Sequence, residues 1–255
     1  MIPAMTRQRI RVATYNIHKC RGLDRRVRPQ RIVEVLRELD ADIVALQEVF
    51  SGPGHMPEED HAGFIAAEMG LHLAFGKTCR LRGRAYGNAL LARYPLRVIS
   101  NHDLSAGRGP RGCLHAEIEM PGGAWLHVFN IHLGTAFRER RRQARKLIGA
   151  EMLAPAEQRG PRIVLGDFNE WTRGLTTRLL RERFSTADVR VHLNRSRTYP
   201  GVLPIFHLDH IYFDPELRLD RLTLHKNRLS LVASDHLPLV ADLSLASAHK
   251  RDTAA

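Results

Sequence analysis

Apolar runs in this chain are short, and nearly every one ends against an Asn, Asp, Glu or His. Ile10, Val12 and Thr14 alternate through a strand that ends at Tyr15-Asn16, and the fully apolar Ile43-Val44-Ala45-Leu46 runs into Gln47-Glu48. Trp125–Leu133 carries Asn130 and His132 at its end, and Ile163-Val164-Leu165 leads into Gly166-Asp167-Phe168-Asn169. Leu208–Phe213 holds Asp209, and Asp235-His236 stand before the alternating Leu237, Leu239, Ala241, Leu243 and Leu245. Runs this short, apolar or alternating, read as strands. Asn88-Ala89-Leu90-Leu91, closed by Tyr94-Pro95, is a further buried segment, and Ser51–Gly63, rich in Gly, Pro, His and acid, reads as a loop.

Between the strands lie helices. Pro29 suits a first helical turn, and Ile32, Val35, Leu36 and Leu39 follow at i, i+3, i+4, i+7. A second helix is expected from Phe137 to Met152. Strands and helices interleave along the whole chain with no repeat and no Pro/Gly/Ser linker, so one α/β domain is expected over 9–246, with flexible tails at 1–8 and 247–255. In open α/β sheets ligands lie outside strand ends, where residues from distant parts of the chain converge. A single terminal Asn or Asp is ordinary turn chemistry. Six or seven such residues on separate strands point to a site.

The residue types fit one kind of reaction. Glu48 and Asn16 are hard oxygen donors suited to Mg²⁺, with Mn²⁺ as an alternative. Asp167 can orient or deprotonate a water, and the Asn169 amide can donate to a phosphoryl oxygen. His236 held by Asp209 has a fixed tautomer and a proton to give. Together they describe metal-assisted phosphoester hydrolysis.

Thr14-Tyr15-Asn16-Ile17-His18, Gln47-Glu48, Gly87-Asn88-Ala89-Leu90-Leu91, Asn130-Ile131-His132-Leu133, Gly166-Asp167-Phe168-Asn169, Leu208-Asp209-His210-Ile211 and Ser234-Asp235-His236-Leu237-Pro238 resemble, in order, the motifs of the endonuclease/exonuclease/phosphatase (DNase I-like) superfamily. The resemblance implies a four-layer α/β/β/α sandwich: two mixed sheets packed face to face, helices outside, and one groove. It implies Glu48 as the main Mg²⁺ ligand, Asn16 as a second ligand or an orienting group, and Asp235 near the metal. His132 matches a phosphate-contacting residue, Asp167 and Asn169 the water-activating and transition-state-stabilising pair, and Asp209 the partner of His236. Either Asp167 or the Asp209–His236 pair takes the water's proton in such a site; Asp167 is favoured here. Asn88 and Arg111 are expected to contact substrate phosphate.

Other signals carry less. Gly107-Arg108-Gly109-Pro110-Arg111-Gly112 spells a dinucleotide fingerprint, but Pro110 interrupts it and strand-like residues follow, so it reads as a basic loop. His207, Asp209 and His210 suggest zinc without a two-metal phosphatase signature to support it. Ser234 beside Asp235 and His236 is no triad, because neighbours on an extended chain point to opposite sides. Arg138, Arg141, Arg142 and Arg145 share a helix face that reads as a solvated stripe or a phosphate track.

Net charge is +12, from 39 Lys+Arg against 27 Asp+Glu, a field that attracts polyanions. Only five of those 39 are lysines, and an arginine bias of this kind also arises from genome base composition. No apolar stretch approaches the roughly 20 residues of a membrane span, and Met1–Arg11 has no signal-peptide core. Three cysteines at wide spacing suit a reducing compartment, so a cytoplasmic protein is expected. The basic balance favours nucleic acid over a lipid headgroup as the source of the phosphate ester. Phospholipid, phosphoinositide and small phosphate esters are the alternatives, and a non-catalytic phosphate- or nucleic-acid-binding module is a third reading. Oligomeric state is left open.

Overall fold

The computed structural model describes residues 9–54, 56, 59–107, 109–149, 153, 160–170, 174–187, 198–201 and 206–245. Both expected tails lie outside the described residues, as does Arg108 of the basic loop. The described strands form two six-stranded sheets. The first holds β1 (Arg9–Asn16), β2 (Ile43–Ser51), β3 (His72–Leu81), β4 (Arg84–Ala92), β11 (Leu217–Leu224) and β12 (Leu239–Leu245), in the order β11-β12-β1-β2-β4-β3. The second holds β5 (Leu96–Asp103), β6 (Gly112–Glu119), β7 (Trp125–His132), β8 (Arg162–Asp167), β9 (Ser185–Thr186) and β10 (Asp209–Phe213), in the order β5-β6-β7-β8-β10-β9. Both are mixed: β1–β2 and β7–β8 run parallel, and their other pairings are antiparallel.

Side-chain alternation sorts each central strand into an inner and an outer face. The inner positions Ile10, Val12, Ile43, Ala45 and Leu90 pack against Leu114, Ala116, Val128, Ile163, Leu165 and Ile211 to make the core between the sheets. Outer positions Ala13, Tyr15, Val44 and Leu46 are covered by α1 (Pro29–Leu39) and α2 (His61–Met69), with Ala233 of α5 (Arg228–Ala233) in the same cluster. Outer positions Phe129, Ile131, Val164 and Tyr212 are covered by α3 (Phe137–Ile148) and α4 (Leu175–Arg181), through Leu147 and Leu180. This is the expected α/β/β/α sandwich.

Element ends differ from the sequence reading where a cap decides them. The helix expected to reach Met152 stops at Ile148, because Gly149 turns extended (φ −52°, ψ 150°); positions 150–152 lie outside the described residues. Within Ser51–Gly63, α2 already begins at His61, since the Asp60 carboxylate accepts from Gly63 N at 3.1 Å. Among the described residues no helix is long and apolar enough to cross a membrane.

Candidate active site

The site continues the inter-sheet core with polar side chains. On β1, β2, β7, β8 and β10, the inner-face position at one end of the apolar run is Asn16, Gln47, His132, Asp167 and Asp209 respectively. Register puts Asn16 beside Gln47, and His132 beside Asp167 beside Asp209. Just beneath, a layer of buried amides ties the sheets together. Gln47 Nε2 donates to Thr14 Oγ1 at 3.1 Å and to Asn130 Oδ1 at 2.8 Å, while Asn130 Nδ2 donates to Leu46 O and Ala89 O at 2.9 and 2.8 Å. Asn130 thus reaches from the second sheet to two carbonyls of the first. Gln47 and Asn130 stand in the motifs, but nothing in the sequence marks them as a bridge.

Strict alternation would send Glu48 to the outer face with Leu46. Instead β2 gains a residue: pairing with β4 passes from Leu46↔Ala89 to Val49↔Gly87, so Gln47 and Glu48 together oppose Asn88. Glu48 sits in the left-handed region (φ 59°) and points inward, where its Oε1 accepts from Asn16 Nδ2 at 3.4 Å. After β1, His18, Lys19 and Cys20 also take positive φ (44°, 60°, 56°), a costly run for residues with a Cβ. This turn touches all three expected metal residues: His18 N donates to Asn16 Oδ1 at 3.0 Å, His18 Nδ1 lies 3.5 Å from Asp235 Oδ1, and Lys19 Nζ ion-pairs with Glu48. Lys19 is a site residue that sequence reasoning missed.

Asp167 is the centre of the second half. Its Oδ2 accepts from Asn16 Nδ2 at 3.0 Å and its Oδ1 from Asn169 N at 2.9 Å. His132 Nε2 and His236 Nε2 stand 3.7 and 3.8 Å from Oδ2, just beyond hydrogen-bond reach. His236 Nδ1 is held by Asp209 Oδ2 at 3.0 Å, and the remaining Asp209 oxygen has no hydrogen-bond partner among the described residues. Asn169, at φ 50°, donates its side-chain amide to Leu133 O at 2.9 Å. The strand reaches this geometry through Gly166, at φ 145°, where a Cβ would stand 1.9 Å from Ile131 O. Ser234 Oγ donates to Asn16 O at 2.8 Å and so moors the Asp235-His236 segment to β1.

Burial and charge set distinct protonation states. Burial, reinforced by Asp209, lifts the Asp167 carboxyl to about 7 against the opposing pull of His236. Burial lowers His236, but the charge and hydrogen bond of Asp209, with Asp167 and Asp235, outweigh it and hold the ring protonated. Burial and the Arg111 guanidinium push His132 down to about 3. Burial raises Glu48, yet the positive charge of His132 and Lys19 holds it at about 2. Because His132 is neutral near pH 7, Lys19 is the charge that acts on Glu48 there.

One expectation changes and one alternative is favoured. Both amide hydrogens of Asn88 are engaged, by Gly112 O and Asn130 O at 3.2 Å each, so Asn88 ties the sheets and has no donor left for a phosphate. Of the two readings of Asn16, ligand or orienting group, the geometry fits the second: its oxygen faces His18 N and its amide bridges Glu48 and Asp167. Arg111 is aimed by bonds from Nε to Leu133 O and from Nη1 to Pro110 O, at 3.0 Å each. Two tyrosines reach the rim without a sequence signal: Lys19 Nζ lies over the Tyr86 ring, 5.9 Å from its centroid, and the Tyr199 ring lies 4.8 Å from that of His236.

The family model for the Endonuclease/Exonuclease/phosphatase family matches residues 13–236. The chain belongs to this family. Its members are phosphoester hydrolases that generally use divalent metal ions, and the protein is a phosphoester hydrolase with them. Within the family it is 33% identical over 256 residues to the uncharacterized protein YbhP of Escherichia coli K12, across 96% of this chain and 100% of that one. An endonuclease/exonuclease/phosphatase family protein from Bacteroides thetaiotaomicron shares the fold at TM-score 0.76 and 17% identity, over 96% of this chain and 98% of that one. A mannosyl-6-phosphatase from the same species does so at TM-score 0.73 and 18% identity, over 92% and 99%.

Proposed function

We infer that the protein hydrolyses a phosphodiester by in-line attack of water, with Asp167 as general base and nucleic acid as the source of the diester. The observation that carries the mechanism is the position of Asp167. Its carboxyl is fixed by Asn16 and Asn169, and burial keeps its basicity near neutrality. A general base works best with a pKa close to the operating pH. His236, positively charged and oriented by Asp209, then faces the scissile phosphate as a proton donor. Asn169 offers its second amide hydrogen, and neutral His132 a ring N–H, to phosphoryl oxygens. Asp209 acts through His236 alone.

The donor set suits Mg²⁺. Glu48 is an ionised carboxylate oriented by the Asn16 amide, and Asp235 lies within reach of the same turn, both of them hard oxygen ligands. Bound by Glu48 and Asp235, the ion would polarise a phosphoryl oxygen as a Lewis acid. Among the described residues no group of three or more His, Cys, Asp or Glu side chains is placed to hold an ion, so an ion bound there would take further ligands from water and substrate oxygens.

The net charge of +12 supports nucleic acid over a neutral ester. The mannosyl-6-phosphatase of the same fold marks the alternative, a small phosphate monoester. Hydrolysis is to be screened with Mg²⁺ on single- and double-stranded DNA, RNA, phosphoinositides, a phosphocholine lipid, sugar phosphates and bis(p-nitrophenyl) phosphate. Turnover confined to nucleic acid and the generic diester, falling with salt, is the expected result. Turnover confined to sugar phosphates or lipids would overturn the substrate class while leaving the site roles intact.

A further inference from the structure

Outside the catalytic groove, a cleft of about 600 Å³ runs between α3 and α4. Phe137 and Arg141 line it from α3, and Leu175, Arg178, Arg181 and Glu182 from α4 and its end. Topology ties this cleft to the site. The parallel strands β7 and β8 end at His132 and Asp167, and each is followed by a helix that returns along the outer face of the second sheet. α3 and α4 therefore start together at the catalytic end and run the same way. The lining of the cleft runs from Leu175, the first residue of α4, to Glu182 just past its last, about 10 Å along the helix.

Its lining is not explained by folding. The buried side of α3 is Glu139, Gln143, Ala144 and Leu147, whereas Phe137 is 58% exposed and contributes nothing to the core. Arg141 lies over the Phe137 ring, 5.6 Å from its centroid. All three arginines are exposed, and the lining holds one carboxylate, that of Glu182. An exposed aromatic ring beside several guanidinium groups combines a stacking platform with phosphate contacts, the pairing that single-stranded nucleic acid requires. One ring and no apolar surround is poor anchorage for a lipid surface.

We propose that the α3–α4 cleft is a second binding surface for a single nucleic-acid strand, which guides the strand away from the active site: a base stacks on Phe137 and phosphates lie on Arg141, Arg178 and Arg181. The proposal rests on the nuclease reading and extends it to a surface outside the reacting centre. Its test is affinity for a fluorescein-labelled single-stranded DNA oligonucleotide, read by anisotropy in EDTA so that no hydrolysis intervenes. The R141A/R178A/R181A variant should bind at least about tenfold more weakly, and its log–log salt dependence should flatten by about 2, three contacts at roughly 0.7 each. F137A should weaken binding several-fold with the salt slope unchanged, which separates stacking from charge. Both variants should turn over bis(p-nitrophenyl) phosphate as wild type does, since none of these residues touches the reacting atoms.

Unchanged affinity and slope in the triple variant would overturn the proposal. So would a wild type that binds phosphatidylserine vesicles but not the oligonucleotide, with the vesicle binding lost in the triple variant. If the affinity loss is found but the protein cleaves no nucleic acid, the cleft stands and the nuclease reading falls.

Discussion

The two sheets are built to one plan and carry different chemistry. Each threads strand, helix, parallel strand, helix, strand, strand: β1-α1-β2-α2-β3-β4 in one, β7-α3-β8-α4-β9-β10 in the other. The strand orders correspond, 1-2-4-3 and 7-8-10-9, and each sheet is completed by a hairpin beside its first strand. At matching places the first sheet presents Asn16, Gln47 and Asn88, and the second His132, Asp167 and Asp209. Three amides stand opposite three titratable groups. Amides bind hydrogen without changing charge, so the first sheet is suited to holding geometry and the second to moving protons, as the proposed mechanism requires. The first sheet acquires its carboxylate only through the extra residue in β2 that turns Glu48 inward. Duplicated topology thus gives two matching strand-end platforms, and one inserted residue makes them complementary.

Disabling the proton-transfer half should have the largest effect. Asp167→Asn is expected to lower kcat by at least about a hundredfold with KM and Mg²⁺ half-saturation near wild type. Glu48→Gln should instead raise Mg²⁺ half-saturation about tenfold or more, with part of kcat recovered at high metal. If both variants show the same pattern in kcat and metal titration, the division of labour between the sheets is wrong.

Next in size is the tie between them. Asn130→Ala leaves Leu46 O, Ala89 O and Gln47 without their partner, and buried groups left unsatisfied cost about 1–3 kcal/mol each. A loss of about 3 kcal/mol in urea unfolding is expected; a loss under 1 kcal/mol would mean the sheets are held by the apolar core alone.

A smaller effect concerns the outer face of the second sheet, where His115 is stacked on Phe129 at 4.0 Å and bonded to His127 at 3.1 Å. Burial, with His127 and His102 nearby, pushes His115 down to about 3, against about 6.5 in the unfolded chain. The unfolded chain therefore takes up this proton first, and stability is lost as pH falls from about 6.5 towards 3. Between pH 7.5 and 5 the expected contribution is about 2 kcal/mol, several degrees in Tm, and His115→Phe should remove it. An unchanged pH dependence of Tm in that variant would assign the effect elsewhere.

The smallest effect sharpens the reading of the 18–20 turn. Lys19 competes with a metal ion for Glu48, so Lys19→Met should tighten Mg²⁺ binding by roughly three- to tenfold in calorimetry. Weaker binding in that variant would make Lys19 a support for the carboxylate instead of a competitor.

The strands legible in the sequence, β1, β2, β4, β7, β8, β10 and β12, occupy the interior of the two sheets. Those that escaped are the four edges, β3, β5, β9 and β11, and one interior strand, β6, of which the sequence showed only strand-like residues after Gly112. An edge strand packs fewer side chains: β5 has no buried residue, so Arg97, Asn101 and His102 interrupt the pattern that burial imposes elsewhere. Asn16, Glu48, Asp167, Asp209 and His236 were readable for a related reason. They stand at or beside the ends of unmistakable apolar runs, in motifs a family shares.

Composition and alternation were enough to determine an α/β domain, most of its interior strands and the carboxylates and histidines at or beside their ends; the four-layer sandwich followed only from the motifs shared with the family. Tertiary structure decided which of those side chains meet. The bulge that turns Glu48 inward, the use of Asn88 and Asn130 as ties, and the approach of Lys19 to Glu48 depend on pairing across distant segments. Local sequence specifies which face of its own strand a residue occupies. Only the packing of one sheet on the other specifies what it faces.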